Sequence, residues 1–308
     1  MCRTYIFRVR KHSYNLRKKL RKPIFAASML IKIFIFLSVI MNASAYADSC
    51  GNAPDILEEI LDRKEIRVGW ISAKPFQYRN ENGELKGAFI NAGNMLASQL
   101  LNVKITWVEA RWDTFIAGLQ SGKFDVVISN VARRPNRALS IWFTKPVAYG
   151  YQAFLVRKDA HVKSMTDIDR PENNIVVRMG SAAHITYTSN NETYFKHATI
   201  KPIVPPVSPE QEVASGRSIA MGAPLSELIQ IAKANSDWAE ILNLSNGLPT
   251  GSIGFVVPQC QHNLLHFMNL FVDTLIETRY MDKQAKLFPD IVPEQYIAPT
   301  KLLGDLPK

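Results

Sequence analysis

Three arginines fall within five positions in the stretch SNVARRPNRALSIWFTKP, residues 129–146: Arg133, Arg134 and Arg137. They follow an apolar run, FDVVIS (Phe124 to Ser129), that reads as a buried strand, and they precede the aromatic pair Trp142-Phe143. A guanidinium is a planar fork of donors that grips a carboxylate with two parallel bonds. Crowding such groups where a core strand ends suits either a solvated basic loop or a socket for an anion. Further on, MGSAA (179–183) sets a Gly-Ser turn before a helical stretch. A helix starting there offers free N–H groups and a positive dipole end, with Ser181 as its cap. Trp112 opens RWDTFIAGLQSGK and presents either a stacking face or a core anchor. His184, His197, His262 and His266 are scattered, and no CxxC or His/Cys cluster has metal-ligand spacing, so neither metal nor other cofactor is expected.

The net charge of +10 over 308 residues suggests nucleic acid at first sight. It is concentrated at one end. Residues 1–47 hold ten of the 37 Lys/Arg and none of the 27 Asp/Glu, leaving 27 of each in the remainder. A neutral body has no basic field to steer it onto DNA or RNA. The basic end continues into an apolar run and closes on Ala45-Tyr46-Ala47, an A-x-A site, which reads as a signal peptide over 1–47. Met29 begins a compact signal of its own, and translation is expected to start there. After cleavage two cysteines remain, Cys50 and Cys260, either one disulfide or two separate thiols.

The rest of the chain alternates. PDILEEILDRKE (54–65) has helical spacing, IRVGW is a short strand, INAGNMLASQL a helix, VKITWVE an alternating strand, and RWDTFIAGLQSGK a helix leading into FDVVIS. This order implies an α/β unit with a mostly parallel sheet. A second, smaller unit holds NIVVRMGSAAHITYTSN and PEQEVASGRSIAMGAPLSELIQIAKAN, flanked by strands at 150–157 and 252–257. Two such strands would connect two lobes twice. The helical stretch NLLHFMNLFVDTLIETRYMDKQAKLF follows.

At this point IRVGWISAKPFQYRNENGELKGAF, WDTFIAGLQSGKFDVVIS, RRPNRALSIWFTKPV and YQAFLVRKD together resemble the periplasmic solute-binding proteins of family 3, the amino-acid-binding components of ABC importers. The cyclohexadienyl dehydratases are related enzymes on the same fold. The resemblance implies a two-lobed α/β clamshell of the type II periplasmic-binding-protein class with two hinge strands. Lobe 1 would span 48–155 and 252–308, lobe 2 would span 156–251, and the ligand would sit between them. It places Arg137 where the family's arginine clamps a carboxylate, and Ser129 and Asn130 where hydroxyl or backbone groups meet the ligand. Trp112 takes the platform position, Ser181 and Ala183 the second lobe's turn, and Phe76 of Lys74-Pro75-Phe76 the first lobe's approach. Arg134 replaces the usual Thr, and Ala73 replaces an aromatic residue. The two aspartates of the Gly-Arg-x-Asp segment are missing, with Ile219 and Pro224 in their places. Glu227 could substitute only if the alignment slips by three residues. The expected ligand is therefore a small organic anion, aromatic or dicarboxylic, or an amino-acid-like carboxylate.

Function on this reading is transport: periplasmic capture of a solute by a monomer and delivery to ABC membrane subunits, without catalysis. A dehydratase-like enzyme is the alternative, but its Glu would fall at Ala183; a secreted sensory module is a third. The secreted protein is expected to begin near Asp48, with Cys50 and Cys260 a candidate pair either bridged or left as two thiols. Intact mass with thiol labelling checks both, and two freely labelled thiols in native protein would refute the bridge.

Overall fold

The structure, a computed structural model, describes Cys50 and residues 54–189, 194–242 and 248–288. The chain divides into Met1–Ala53 and Pro54–Lys308. The expected signal segment, its A-x-A site and the tail 289–308 lie outside the described residues. Cys50 and Cys260 are each disulfide-bonded.

The second division begins with α1 (Ile56–Arg63). The Asp55 carboxylate accepts from the Leu57 and Glu58 N–H groups and so caps the helix. Then follow β1 (Glu65–Ile71), a small hairpin of β2 (Tyr78–Arg79) and β3 (Leu85–Lys86), and α2 (Ala88–Met95), which runs on as a π-helical turn over Leu96–Leu101. β4 (Lys104–Ala110), α3 (Phe115–Gln120), β5 (Val126–Val127), α4 (Pro135–Ala138) and β6 (Trp142–Phe143) complete the first run. β7 (Ala148–Arg157), α5 (Met165–Ile168), β8 (Asn174–Arg178), α6 (Ala182–Ser189), β9 (Thr199–Ile203), α7 (Pro209–Ala214), β10 (Ala220–Pro224), α8 (Leu225–Ala234), β11 (Ala239–Ile241) and β12 (Leu248–Ile253) form the second. β13 (Val256–Val257), α9 (His262–Glu277) and α10 (Tyr280–Leu287) return to the first.

Two sheets result. One has the order β4-β1-β5-β13-β6, with β1 parallel to β4 and β5 and with β13 antiparallel. The other has the path β11-β7-β10-β8-β9, with β12 also pairing β7. Each sheet carries apolar clusters on both faces. Phe89, Val68 and Phe255 pack with Met268 and Phe271 of α9 on one face of the first sheet, and Phe115 and Phe124 pack on the other. Phe154 and Val177 meet Tyr187 of α6 in the second sheet, while Leu155 and Met221 meet Leu228 of α8. The alternation along β7 is what sends Phe154 and Leu155 to opposite faces.

Two expected strands take other forms. FDVVIS contributes only Val126–Val127 to the ladder. Asp125 instead turns its carboxylate onto β1, where it accepts from the Arg67 N–H at 2.7 Å and from the Arg67 guanidinium at 2.7 Å, with Arg63 as a third partner. GSIGFVVPQ is two strands rather than one: Ile253 ends β12 in the second sheet and Val256 lies in the first. The chain crosses between sheets here and again at 144–147, and the crossings lie side by side. Thr144 N–H donates to Phe255 O, Val147 N–H to Ile253 O, and Phe255 N–H to Thr144 Oγ1. By sheet membership β7 therefore lies wholly in the second sheet, and the first crossing precedes residue 155.

Asp125 is 2% exposed while its arginines keep 29 and 36%. Asp125→Ala would strand two cations and the Arg67 N–H at the start of β1. The expected loss is about 2–3 kcal/mol, read from denaturant unfolding.

Candidate functional site

A narrow cleft, partly open to solvent, lies beyond the carboxyl ends of β8 and β10 and of the strand leading to Asn130. Such crevices are where open α/β sheets bind ligands. Trp112, Asn130 and Ala132 line one side, Gly150, Tyr151 and Ile253 line the crossings, and Arg178, Ser181, Ala182, Pro224 and Glu227 line the other.

Three of the residues singled out from the sequence thus share the cleft: Trp112, Asn130 and Ser181. Trp112 stands edge-on to Phe115, with ring centroids 6.2 Å apart. Asn130 accepts from Gln77 Nε2 at 2.7 Å. Ser181 Oγ accepts from His184 N–H at 3.2 Å and caps α6, leaving the first-turn N–H groups of Ala182 and Ala183 without intrahelical acceptors. The other three smaller residues lie behind the surface. Ser129 is buried and held by Gln77 Nε2 at 2.9 Å, Phe76 packs on Phe89 in the core, and the Ala183 methyl belongs to the second sheet's core. Gln77, which sequence patterning gives no reason to notice, fixes both Ser129 and Asn130.

Arg137 is 3% exposed. Pro135 starts the single turn of α4, which swings Arg137 inward over the rings of Trp112 and Phe115. Its Nη1 donates to Ala132 O at 2.9 Å and its Nη2 to Gly180 O at 2.6 Å, one carbonyl on each side of the cleft. Burial, with Arg134 nearby, pulls its pKa down to about 10, so the group stays cationic at neutral pH. The basic segment is laced to the crossing. Arg133 N–H donates to Ser252 O, Gly254 N–H donates to Val131 O, and Ala132 bridges Ile253.

Sequence reading left Arg178 unremarked and Glu227 conditional, yet both face the cleft. Arg178 Nη2 donates to Glu210 Oε1 at 2.7 Å, and Nη1 stands 2.6 Å from Glu227 Oε1, an ion contact whose angles make no hydrogen bond. Burial raises the Glu227 pKa, and Glu210 adds to the rise against the pull of Arg178. Glu210, despite burial, is held below the usual range by Arg178. Of the two carboxyls on Arg178, Glu227 is thus the one pushed toward its neutral form. Ile219 does not line the cleft, whereas Pro224 does. An arginine closing a buried strand just before a Gly-Ser turn, and a Glu in the first turn after Pro224, were the available signals.

A sequence model of the bacterial extracellular solute-binding proteins, family 3, matches residues 66–288, and the chain belongs to that family. A probable amino-acid ABC transporter-binding protein of Haemophilus influenzae is 24% identical over 140 residues, 45% of this chain and 54% of the relative. The probable amino-acid-binding protein YxeM of Bacillus subtilis is 30% identical over 132 residues, 42% of this chain and 48% of the relative. The chain therefore spans about half the length of these curated relatives. Among solved structures, an ancestral amino-acid-binding protein, AncCDT-1, a precursor of cyclohexadienyl dehydratase, superposes with a TM-score of 0.67 and 27% identity over 76% of this chain and 99% of its own. The fold is that of the two-lobed type II binding proteins.

Gly180 has φ +74°, and a Cβ on it would stand 2.3 Å from Trp112 O. Gly180→Ala should lower stability by about 1–2 kcal/mol and hold the cleft wider. Small-angle scattering should show a larger radius of gyration, and an unchanged radius would contradict the contact.

Gly180 N–H also donates to His184 Nδ1 at 3.1 Å, and burial lowers the His184 pKa from 6.5. A depressed histidine contributes stability above pH 6.5 that is lost as pH falls through its folded value. Between pH 7.5 and 5 the wild type should therefore lose more unfolding free energy than His184→Asn, which keeps an acceptor without titrating. Equal losses would count against it.

Proposed function

We propose that this family 3 protein captures a small carboxylate-bearing solute in the periplasm and presents it to the membrane subunits of an ABC importer. One observation carries the reading. Trp112, Asn130 and the first turn of α6 with Ser181 converge on one cleft between two sheets joined by paired crossings, and behind its surface the buried, carboxylate-free guanidinium of Arg137 ties together the Ala132 and Gly180 carbonyls of its two sides. The names of the relatives, amino-acid-binding and transporter-binding proteins, support it. The basic, apolar N-terminus supports export through a cleaved signal peptide. Among the described residues no helix is long and apolar enough to cross a membrane. Capture is by closure of the lobes about segments 144–147 and 253–256, and the working form is a monomer.

A second reading has one observation behind it. Glu227 is a carboxyl held toward its neutral form inside the cleft, as a general acid requires. It faces the Arg178 guanidinium at 2.6 Å, and Ala183 stands where the dehydratase acid would fall. Incubation with prephenate or arogenate should give no aromatic product; turnover would establish the enzyme.

For the binder, Arg137→Ala should weaken the solute by roughly 2–5 kcal/mol, about 30- to several-thousand-fold. Arg137→Lys should recover only part, because an ammonium cannot span two acceptors as the fork does. Titration calorimetry reads both, and wild-type affinity in Arg137→Ala would remove Arg137 from the site. Saturation with a bound solute should also shrink the radius of gyration.

A further inference from the structure

Among the described residues every arginine outside the basic segment has a carboxylate within 4.0 Å: Arg63 and Arg67 share Asp125, Arg178 has Glu210 and Glu227, Arg217 has Glu212, and Arg79, Arg111, Arg157, Arg170 and Arg279 have partners of their own. Arg133, Arg134 and Arg137 have none. Arg133 spreads its stem against Gly254 and reaches Ser252 Oγ at 3.3 Å. Arg137 is satisfied by carbonyls. Arg134 is the imbalance: half-buried, with one neutral partner, Thr186 Oγ1 at 3.0 Å, and a buried Nε without an acceptor.

Its surroundings are polar and equally short of partners. Arg134 Nη1 lies 3.6 Å from where a Cβ on Gly251 would stand, and Gly251 pairs with Gly150, which lines the cleft. Thr186 sits one turn beyond Ala182, another cleft residue. Tyr187, close enough to Arg134 to feel its charge, is 1% exposed, and its hydroxyl has no hydrogen-bond partner. Its ring stacks on Phe154, two residues along the same strand face from Gln152. Gln152 is 2% exposed, and neither its amide oxygen nor its amide nitrogen has a partner. A half-buried cation and two nearly inaccessible hydrogen-bonding side chains left unmatched behind the cleft-lining residues are costly unless something completes them.

We propose that Arg134, with the Tyr187 hydroxyl and the Gln152 amide as donors, holds a second anionic group of the solute, so that the ligand is a dianion, or a zwitterion with an additional acid group. The inference rests on the capture reading and gives it a charge. Arg137 and the α6 N-terminus take one acid group, and Arg134 takes the other. A monoanion would leave Arg134 buried without a counter-charge.

The experiment is titration calorimetry of the mature protein with matched pairs that differ only in one acid group: succinate and succinamate, glutarate and glutaramate, aspartate and asparagine, glutamate and glutamine. The wild type should bind the diacid member of at least one pair roughly 10- to 100-fold more tightly than its amide. Arg134→Gln should bring that pair to within about threefold by weakening the diacid far more than the amide, and Arg134→Lys should retain part of the preference. Equal binding of acid and amide by the wild type, or an undiminished preference in Arg134→Gln, overturns this inference and leaves capture standing. If the folded protein binds no member of any pair, the dianion assignment falls, and capture falls with it only if a wider panel of monocarboxylates and amino acids also fails.

Discussion

A guanidinium taken out of water needs an anion or a full set of dipoles, and the placement of Arg137 rests on meeting that need. Two carbonyls meet it here, Ala132 O and Gly180 O, and they belong to opposite sides of the cleft. Each must be held to a few tenths of an ångström. Ala132 is pinned by its bridge to Ile253 at the crossing, and Gly180 by a positive φ that lets its backbone press against Trp112. The short helix starting at Pro135 and the Trp112–Phe115 corner supply the cavity walls. Moving any one of them uncovers the same buried charge, which makes this small group of residues act as a unit.

Electrostatics divides the molecule into two regimes. Away from the cleft, cations are matched locally: Asp125 serves Arg63 and Arg67, and Glu212 serves Lys201 and Arg217. The Glu212 carboxyl is drawn down to about 2 by hydrogen bonds from Arg217 and Lys201. Around the cleft the matching is deliberately incomplete on one side and doubled on the other. Arg134 and Arg137 have no acid, whereas Arg178 has two. A site with an uncompensated positive pole favours an anion by the same interactions that would make an empty pole costly.

Much of the architecture is legible in the sequence because its signals are local. Alternation marks β1, β4 and β7, the helical spacing of Ile56, Leu57 and Ile60 marks α1, and the two crossings follow from strands flanking a second unit. The failures are non-local. Nothing within FDVVIS says that the Asp125 carboxylate must serve two arginines some sixty residues earlier. Nothing within GSIGFVVPQ says that Gly254 passes between two sheets. The same holds at the site. Trp112, Asn130 and Ser181 carry their roles in residue type and motif, and they do meet. Phe76 and Ala183 occupy matching positions but turn to the core, a choice made by the packing of Phe89 and of the second sheet. Gln77, Arg178 and Glu227 gain meaning only from partners far away in the chain.

The triad opposite the basic pole bears on the charge of the solute. A ligand ammonium beside Glu227 would favour that carboxyl's ionised form, whereas burial and the neighbouring Glu210 push it the other way. An anionic group in the cleft acts the other way, since an added negative charge favours the protonated carboxyl. Arg178 then leans the more on Glu210, the carboxyl it holds low, while Glu227 is the wall carboxyl that burial pushes toward its neutral form. Loss of the acidic positions, the surplus of Arg134 and the upward shift of Glu227 are three separate features, and each favours negative charge on what the cleft holds.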